Sequence, residues 1–332
     1  MLVSALVAVA VGQLGYVPVP KPYRVHEHSM YWKVAERSRT DARTADVIVM
    51  GDSRVLFGID TKVLARQLRI PGGHGGRPTI VDLAAPAATP AGGLWMWRRA
   101  LGGTHPPRAR LAVIGVAPVD FTPKTPGNDN VLRYLFEAPD VLWLARDGRM
   151  NYAAALLTYR VFPLYALHRS IINMVIGQRQ REPVLPPPSP AEDAYWLAQH
   201  EAWYSDYRID PWQVRCLERM VSEMRARGIR VILFTPPVAE SLLRIEAGIS
   251  LEAPMSGGSA PGGMPGSPLR LFRDMIRGFQ AREGVTYFDY MRAAHSRRFE
   301  FWDPTHLLPT SASTFTRELA GRIKDELARG RA

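Results

Sequence analysis

Apolar positions along this chain follow two patterns. Residues 47–50, 111–116 and 229–234 are apolar at nearly every position and rich in β-branched side chains. That pattern predicts strands buried on both faces of a parallel sheet. Residues 79–83 and 285–288 predict two more. Between the strands, apolar residues recur three or four apart. A helix from about Thr61 carries Val63, Leu64 and Leu68, and Leu94, Trp95, Met96 and Trp97 open another. Val214, Leu217, Met220, Val221 and Met224 share one face of a third, with Asp210 as N-cap, Pro211 in the first turn and Gly228 as stop. Leu269, Phe272, Met275, Ile276 and Phe279 mark a fourth. Phe315, Leu319, Ile323 and Leu327 mark a last one, capped by Thr310 or Ser311. Strand and helix thus alternate through five strands, which predicts an α/β fold: a three-layer α/β/α sandwich on a five-stranded parallel sheet.

The alternation lapses over residues 121–207, which read as a largely helical insertion. Its aliphatic and aromatic excess fits a lid, a surface resting on a membrane, or plain packing on the core. Residues 183–190 are a proline-rich break, and 256–267 a Gly/Pro/Ser loop. The glycine-rich loop at 71–76 lacks the Gly-Lys-Ser/Thr ending of a phosphate loop. At the start, residues 2–19 are uncharged and mostly apolar. They suit a signal segment, an uncleaved membrane anchor or a buried helix, and the anchor is preferred because the stretch nearly spans a bilayer. The expected organisation is an anchor or signal segment at 1–20, a connector at 21–45 and an α/β domain at 46–330. An anchor followed by a domain places the domain outside the cytoplasm, in the periplasm or on the outer face.

Composition narrows the partners. The formal net charge is +11 over 332 residues. The basic residues are scattered, which favours anionic surfaces or polymers; no nucleic-acid-binding module is recognisable, so nucleic acid is not an expected partner. The single cysteine, Cys216, excludes an internal disulfide and any multi-cysteine metal site. It falls on an amphipathic helix and reads as core packing.

Two short stretches carry candidate chemistry. Gly51-Asp52-Ser53 follows the first strand at its carboxyl end, where open α/β sheets place their ligands. Asp and Ser there are also good helix caps. Far along the chain, Asp303-Pro304-Thr305-His306 sets a carboxylate three residues before an imidazole. An imidazole can take the proton of a serine hydroxyl, and a carboxylate on its other nitrogen fixes its tautomer. Asp-Pro is also a common turn opener. Either stretch alone has a bland structural explanation; together they form a nucleophile, a base and an orienting acid.

Gly51-Asp52-Ser53, with Gly58 beyond it, and Asp303-Pro304-Thr305-His306 resemble the SGNH (GDSL-like) hydrolase superfamily. The order of elements is similar to its membrane-anchored envelope branch, which includes alginate O-acetyltransferases and the D-alanyl transfer proteins of teichoic acid synthesis. The resemblance implies a flavodoxin-like SGNH fold, Ser53 as nucleophile, His306 as base and Asp303 as its orienting acid, with no cofactor and no metal. It implies the N–H groups of Ser53 and Ala87 as oxyanion donors, with Arg54 beside the substrate. The implied partners are an ester-bearing envelope glycan or lipid as substrate, the membrane through the N-terminal segment, and a membrane acyltransferase. Two blocks depart from the family pattern. Ala87 stands where a glycine is usual, a position strained if φ is positive. Residues 115–120 lack the usual Asn, and Asn128 or Asn130 are the nearest substitutes. The expected function is a serine esterase or O-acyltransferase working through an acyl-enzyme. The rival is a catalytically weak or inactive binding or assembly partner with the same fold. A flavodoxin-like phosphate binder is a third reading, and it leaves Asp303 and His306 unexplained.

Overall fold

The computed structural model describes residues 26–70, 77–101, 107–123, 136–137, 139–161, 189–249 and 264–329. The expectations for 1–20, for the loop at 71–76, for Asn128 and Asn130, and for most of 183–190 and 256–267 lie outside the described residues. Among the described residues no helix is long and apolar enough to cross a membrane.

The chain divides into two compact units, one of residues 1–35 and 126–185, the other of 36–125 and 186–332. Helix α1 (His26–Arg39) occupies part of the stretch read as a connector. In the first unit, α5 (Asp140–Arg146) packs on α6 (Met150–Val161), and Phe136 stacks on Trp143 with ring centroids 5.4 Å apart. The stretch 121–207 is thus shared: its middle belongs to this unit, and its last part, including α7 (Pro190–Tyr204), to the other.

The second unit holds the sheet. Its strands are β1 (Val47–Met50), β2 (Ile80–Asp82), β3 (Leu111–Gly115), β4 (Arg230–Thr235) and β5 (Thr286–Asp289). They lie in the order β2-β1-β3-β4-β5, every pair parallel. Successive strand side chains face opposite ways, which divides the core. Val47, Val49, Leu111, Val113, Ile232 and Phe234 face α2 (Ser53–Gly58), α3 (Thr61–Gln67) and the last helix, α12 (Pro309–Arg329). On the other face pack α4 (Pro90–Leu101) and α8 (Pro211–Arg225), the latter burying Cys216, Leu217, Met220, Val221 and Met224. The result is a three-layer α/β/α sandwich. A smaller apolar cluster joins α7, α9 (Glu240–Ala247) and the start of α10 (Pro268–Glu283) through Tyr204, Leu242, Leu243, Ala247 and Leu269.

One helix start differs from the sequence reading, and one helix is absent from it. α12 begins at Pro309, because a proline at the first position needs no N–H partner; Ser311 instead accepts a bond from Glu300 N–H at 2.8 Å. α9 carries no side-chain cap at Ala239, so the sequence offered no start signal for it.

Candidate functional site

The strand order reverses direction between β1 and β3, so the carboxyl ends of these two strands frame a crevice. Ser53 sits there as the first residue of α2. Asp52 caps that helix, its Oδ1 accepting Arg54 N–H at 2.9 Å. α2 comes very close to the strand ends. A Cβ on Gly51 would lie 2.3 Å from Val55 Cγ2, and one on Gly115 only 2.1 Å from it. Glycine at both positions lets the serine turn seat directly on the sheet edge.

The second half of the site is a narrow strap after α11 (Ala293–Ser296). Phe301 bridges Leu307 antiparallel, and Trp302 N–H donates to the His306 carbonyl at 2.7 Å. Inside the strap Asp303 organises the turn. Its Oδ1 accepts from Thr305 N–H at 2.7 Å, from the Thr305 hydroxyl at 2.6 Å and from His306 N–H at 2.9 Å. That leaves Oδ2 for the ring, which it meets at His306 Nδ1, 2.6 Å away. With Nδ1–H donated to the carboxylate, Nε2 is the acceptor, and Ser53 Oγ lies 2.8 Å from it. Burial alone would raise the Asp303 pKa. The bond and charge of His306, with the Thr305 bonds, outweigh it and hold the carboxyl at about 2. Phe57 meets the imidazole edge-on at 5.1 Å and Trp302 lies 6.2 Å from it, so an aromatic pair flanks the ring. The structure therefore brings Ser53, His306 and Asp303 together in a single hydrogen-bonded chain.

The remaining expected residues divide. Neither Ser53 N–H nor Ala87 N–H donates to a described residue. Ala87 has φ +51, the strained case. In the block that lacks Asn, Pro118 opens a 3₁₀ turn (Pro118–Phe121), and Ala117 N–H is taken by Asp120 Oδ2 at 2.7 Å. Asp120 is buried; burial, then the charge of Asp52, pushes its pKa well above the carboxylate range. It lines a cavity of about 20 Å³ with Gly51, Ala88 and Val116, room for one water-sized group.

Arg54 corrects the expectation of a substrate contact. Its side chain is 2% exposed and turned inward, with Nη2 3.4 Å from Glu246 Oε1 and Nε 3.8 Å from Asp52 Oδ2. Burial opposes its charge, but Glu246, Tyr204, Asp52 and Asp120 more than offset this and raise its pKa. Glu246 also accepts from the Tyr204 hydroxyl, and burial pushes its pKa up. His200, on α7, is 3% exposed, donates from Nδ1 to the Trp196 carbonyl at 2.8 Å, and packs edge-on against Trp203. Burial, then the charge of Arg54, lowers its pKa to about 4, so it is neutral. Sequence reasoning missed Glu246, Tyr204 and His200; a buried polar side chain leaves no periodic mark.

No protein-family model matches this chain, and no curated protein does. One solved structure that is similar is described as "a putative platelet activating factor from Streptococcus pneumonia". The two are 11% identical with a TM-score of 0.39, over 95% of this chain and 98% of that chain, a likeness that says nothing about activity.

Proposed function

We propose that this protein is an SGNH-type serine esterase or O-acyltransferase acting on ester-linked acyl groups through an acyl-enzyme. The observation that carries the reading is the chain Asp303 Oδ2, His306 Nδ1, His306 Nε2, Ser53 Oγ, with links of 2.6 and 2.8 Å. In this reading His306 takes the Ser53 proton as Oγ attacks the ester carbonyl. Asp303 stabilises the imidazolium that forms. The tetrahedral oxyanion is met by the N–H groups of Ser53 and Ala87. His306 then returns its proton to the departing alcohol, leaving the acyl group on Ser53. A water, or a hydroxyl of an acceptor, repeats the cycle and frees the serine. The uncharged stretch 2–19 and the charge of +11 favour a membrane-anchored enzyme outside the cytoplasm with an envelope glycan or lipid as substrate. A second reading, a binding or assembly partner with little activity, is favoured by residues 115–120, which offer no Asn donor.

A serine-directed fluorophosphonate probe separates the two. The expected result is labelling of the wild type that Ser53→Ala abolishes, with turnover of a nitrophenyl acetate lost by about 10³-fold or more. Because one oxyanion donor is worth about 10²–10³-fold, the wild-type kcat/KM should sit far below the diffusional ceiling of about 10⁸ M⁻¹s⁻¹. Unlabelled wild type, or undiminished turnover in Ser53→Ala, refutes the enzyme reading. For location, the full-length protein should stay with membranes through a high-salt wash; full recovery in the soluble fraction refutes the anchor.

A further inference from the structure

One short helix touches both halves of the site. Ala239, the residue before α9, donates its N–H to the Pro304 carbonyl at 3.0 Å, inside the turn that carries Asp303 and His306. Near the other end of α9, Glu246 meets the side chain of Arg54, the residue after Ser53. A helix of eight residues is about 12 Å long, so α9 spans from the base turn to the serine turn. Both its ends are fixed. Gly248, with φ +71, closes the carboxyl end. Leu242, Leu243 and Ala247 bury its apolar side in the cluster that contains Tyr204.

The contact between Glu246 and Arg54 is badly built for stability. Both side chains are buried, yet their closest approach is 3.4 Å, and Arg54 Nη1 and Glu246 Oε2 are buried without a hydrogen bond among the described residues. An apolar pair of the same volume would cost less desolvation. What the contact does supply is direction. Arg54 is tied to Asp52 twice, by its backbone N–H at 2.9 Å and by Nε at 3.8 Å, so a pull on its guanidinium acts on the whole turn around Ser53. Tyr204, bonded to the same Glu246 oxygen, holds the carboxylate in place from α7.

Resting on the acyl-ester reading above, we propose that Glu246 is a positioning residue. Through Arg54 it sets the Asp52–Ser53–Arg54 turn at the separation from His306 that α9 dictates. Near-attack geometry is sensitive to displacements of about 1 Å, which cost about 10²-fold. The loss should fall on kcat, because Glu246 itself, 0% exposed, does not reach substrate.

The test compares Glu246→Gln and Glu246→Leu with the wild type, following fluorophosphonate labelling rate, kcat and KM, with near-ultraviolet circular dichroism to establish folding. Gln keeps an oxygen for Arg54 and Tyr204 and should restore most of the labelling rate. Leu should lower kcat and labelling by about 10²-fold and leave KM unchanged. If Glu246→Leu fails to fold, the double variant Arg54→Met/Glu246→Leu removes both charges together, and should fold with the same low kcat. A folded Leu or double variant with wild-type kcat overturns the proposal while labelling of the wild type keeps the acyl-ester reading. A loss that appears in KM rather than kcat, or that Gln fails to relieve, also overturns it. Wild type that the probe does not label overturns both.

Discussion

Ala87 offers a direct test of the backbone next to the serine turn. Ala88 N–H donates to the Ala85 carbonyl at 3.1 Å, closing a β-turn with Pro86 second and Ala87 third. Proline second and a positive φ third is the type II pattern, whose third position wants glycine. Ala87 holds φ +51, which costs an L-residue about 1–2 kcal/mol. Glycine there would remove that cost but lose more freedom on folding, worth about 0.4–1 kcal/mol. The balance predicts that Ala87→Gly stabilises by about 0.5–1 kcal/mol. Ala87→Val, forcing a β-branched side chain into the same region, should destabilise by about 1–3 kcal/mol. The turn is tied to the site, since Ala85 N–H donates to the Gly51 carbonyl at 3.0 Å. Glycine keeps the N–H at 87, so the labelling rate of Ser53 should not fall. Urea titrations followed by tryptophan fluorescence give both stabilities from the midpoint at constant slope. A glycine variant less stable than wild type, or a valine variant as stable, would show that residue 87 carries no such strain.

Two further outcomes follow from burial and from close contact. His200 has a folded pKa of about 4 against an ordinary 6.5, so the stability gained from keeping it neutral is present above pH 6.5 and is lost as pH falls from there through 4. The difference amounts to about 3 kcal/mol. His200→Gln, which can still donate to the Trp196 carbonyl, should flatten the stability–pH curve in that window. A curve of unchanged slope there would exclude His200 as its source. Separately, Gly115→Ala should cost about 1–3 kcal/mol by overpacking, since its Cβ would meet Val55 Cγ2 at 2.1 Å. Val55→Ala removes that atom, so a double-mutant cycle should show the pair costing less than the sum of the single changes; strict additivity contradicts the contact.

The architecture was readable because its signals are local. The apolar, β-branched runs at 47–50 and 111–116 read as buried parallel strands, and the amphipathic faces of α8, α10 and α12 repeat at helical spacing. Asp303 and His306 were readable as a pair because a three-residue spacing fits one tight turn. Arg54, which the resemblance set beside the substrate, faces inward for a reason no local pattern holds: Glu246, 192 residues away, pairs with its guanidinium. Glu246 was invisible in its turn. α9 is short, starts without a cap after two prolines, and buries a carboxylate on what sequence patterns treat as a solvated position. Ala87 shows the intermediate case, where the sequence framed the question of its φ and only the fold could answer it.

The link between Ser53 and His306 joins residues 253 apart, and this gives the proposed chemistry a timetable. The strap bearing His306 leads straight into α12, which is stitched to the start of α3 by Thr316 and Ser313, each 2.9 Å from Asp60. A ribosome adding about 5–20 residues per second needs about 13–50 s to travel from one to the other. Throughout that interval Ser53 Oγ has no imidazole beside it, so on the proposed reading its hydroxyl stays unactivated. On that reading reactivity arrives only after all five strands, the last ending at Asp289, have been synthesised. On the proposed reading a growing chain would not acylate itself on the esters it passes, because Ser53 and His306 do not yet coexist in a folded site.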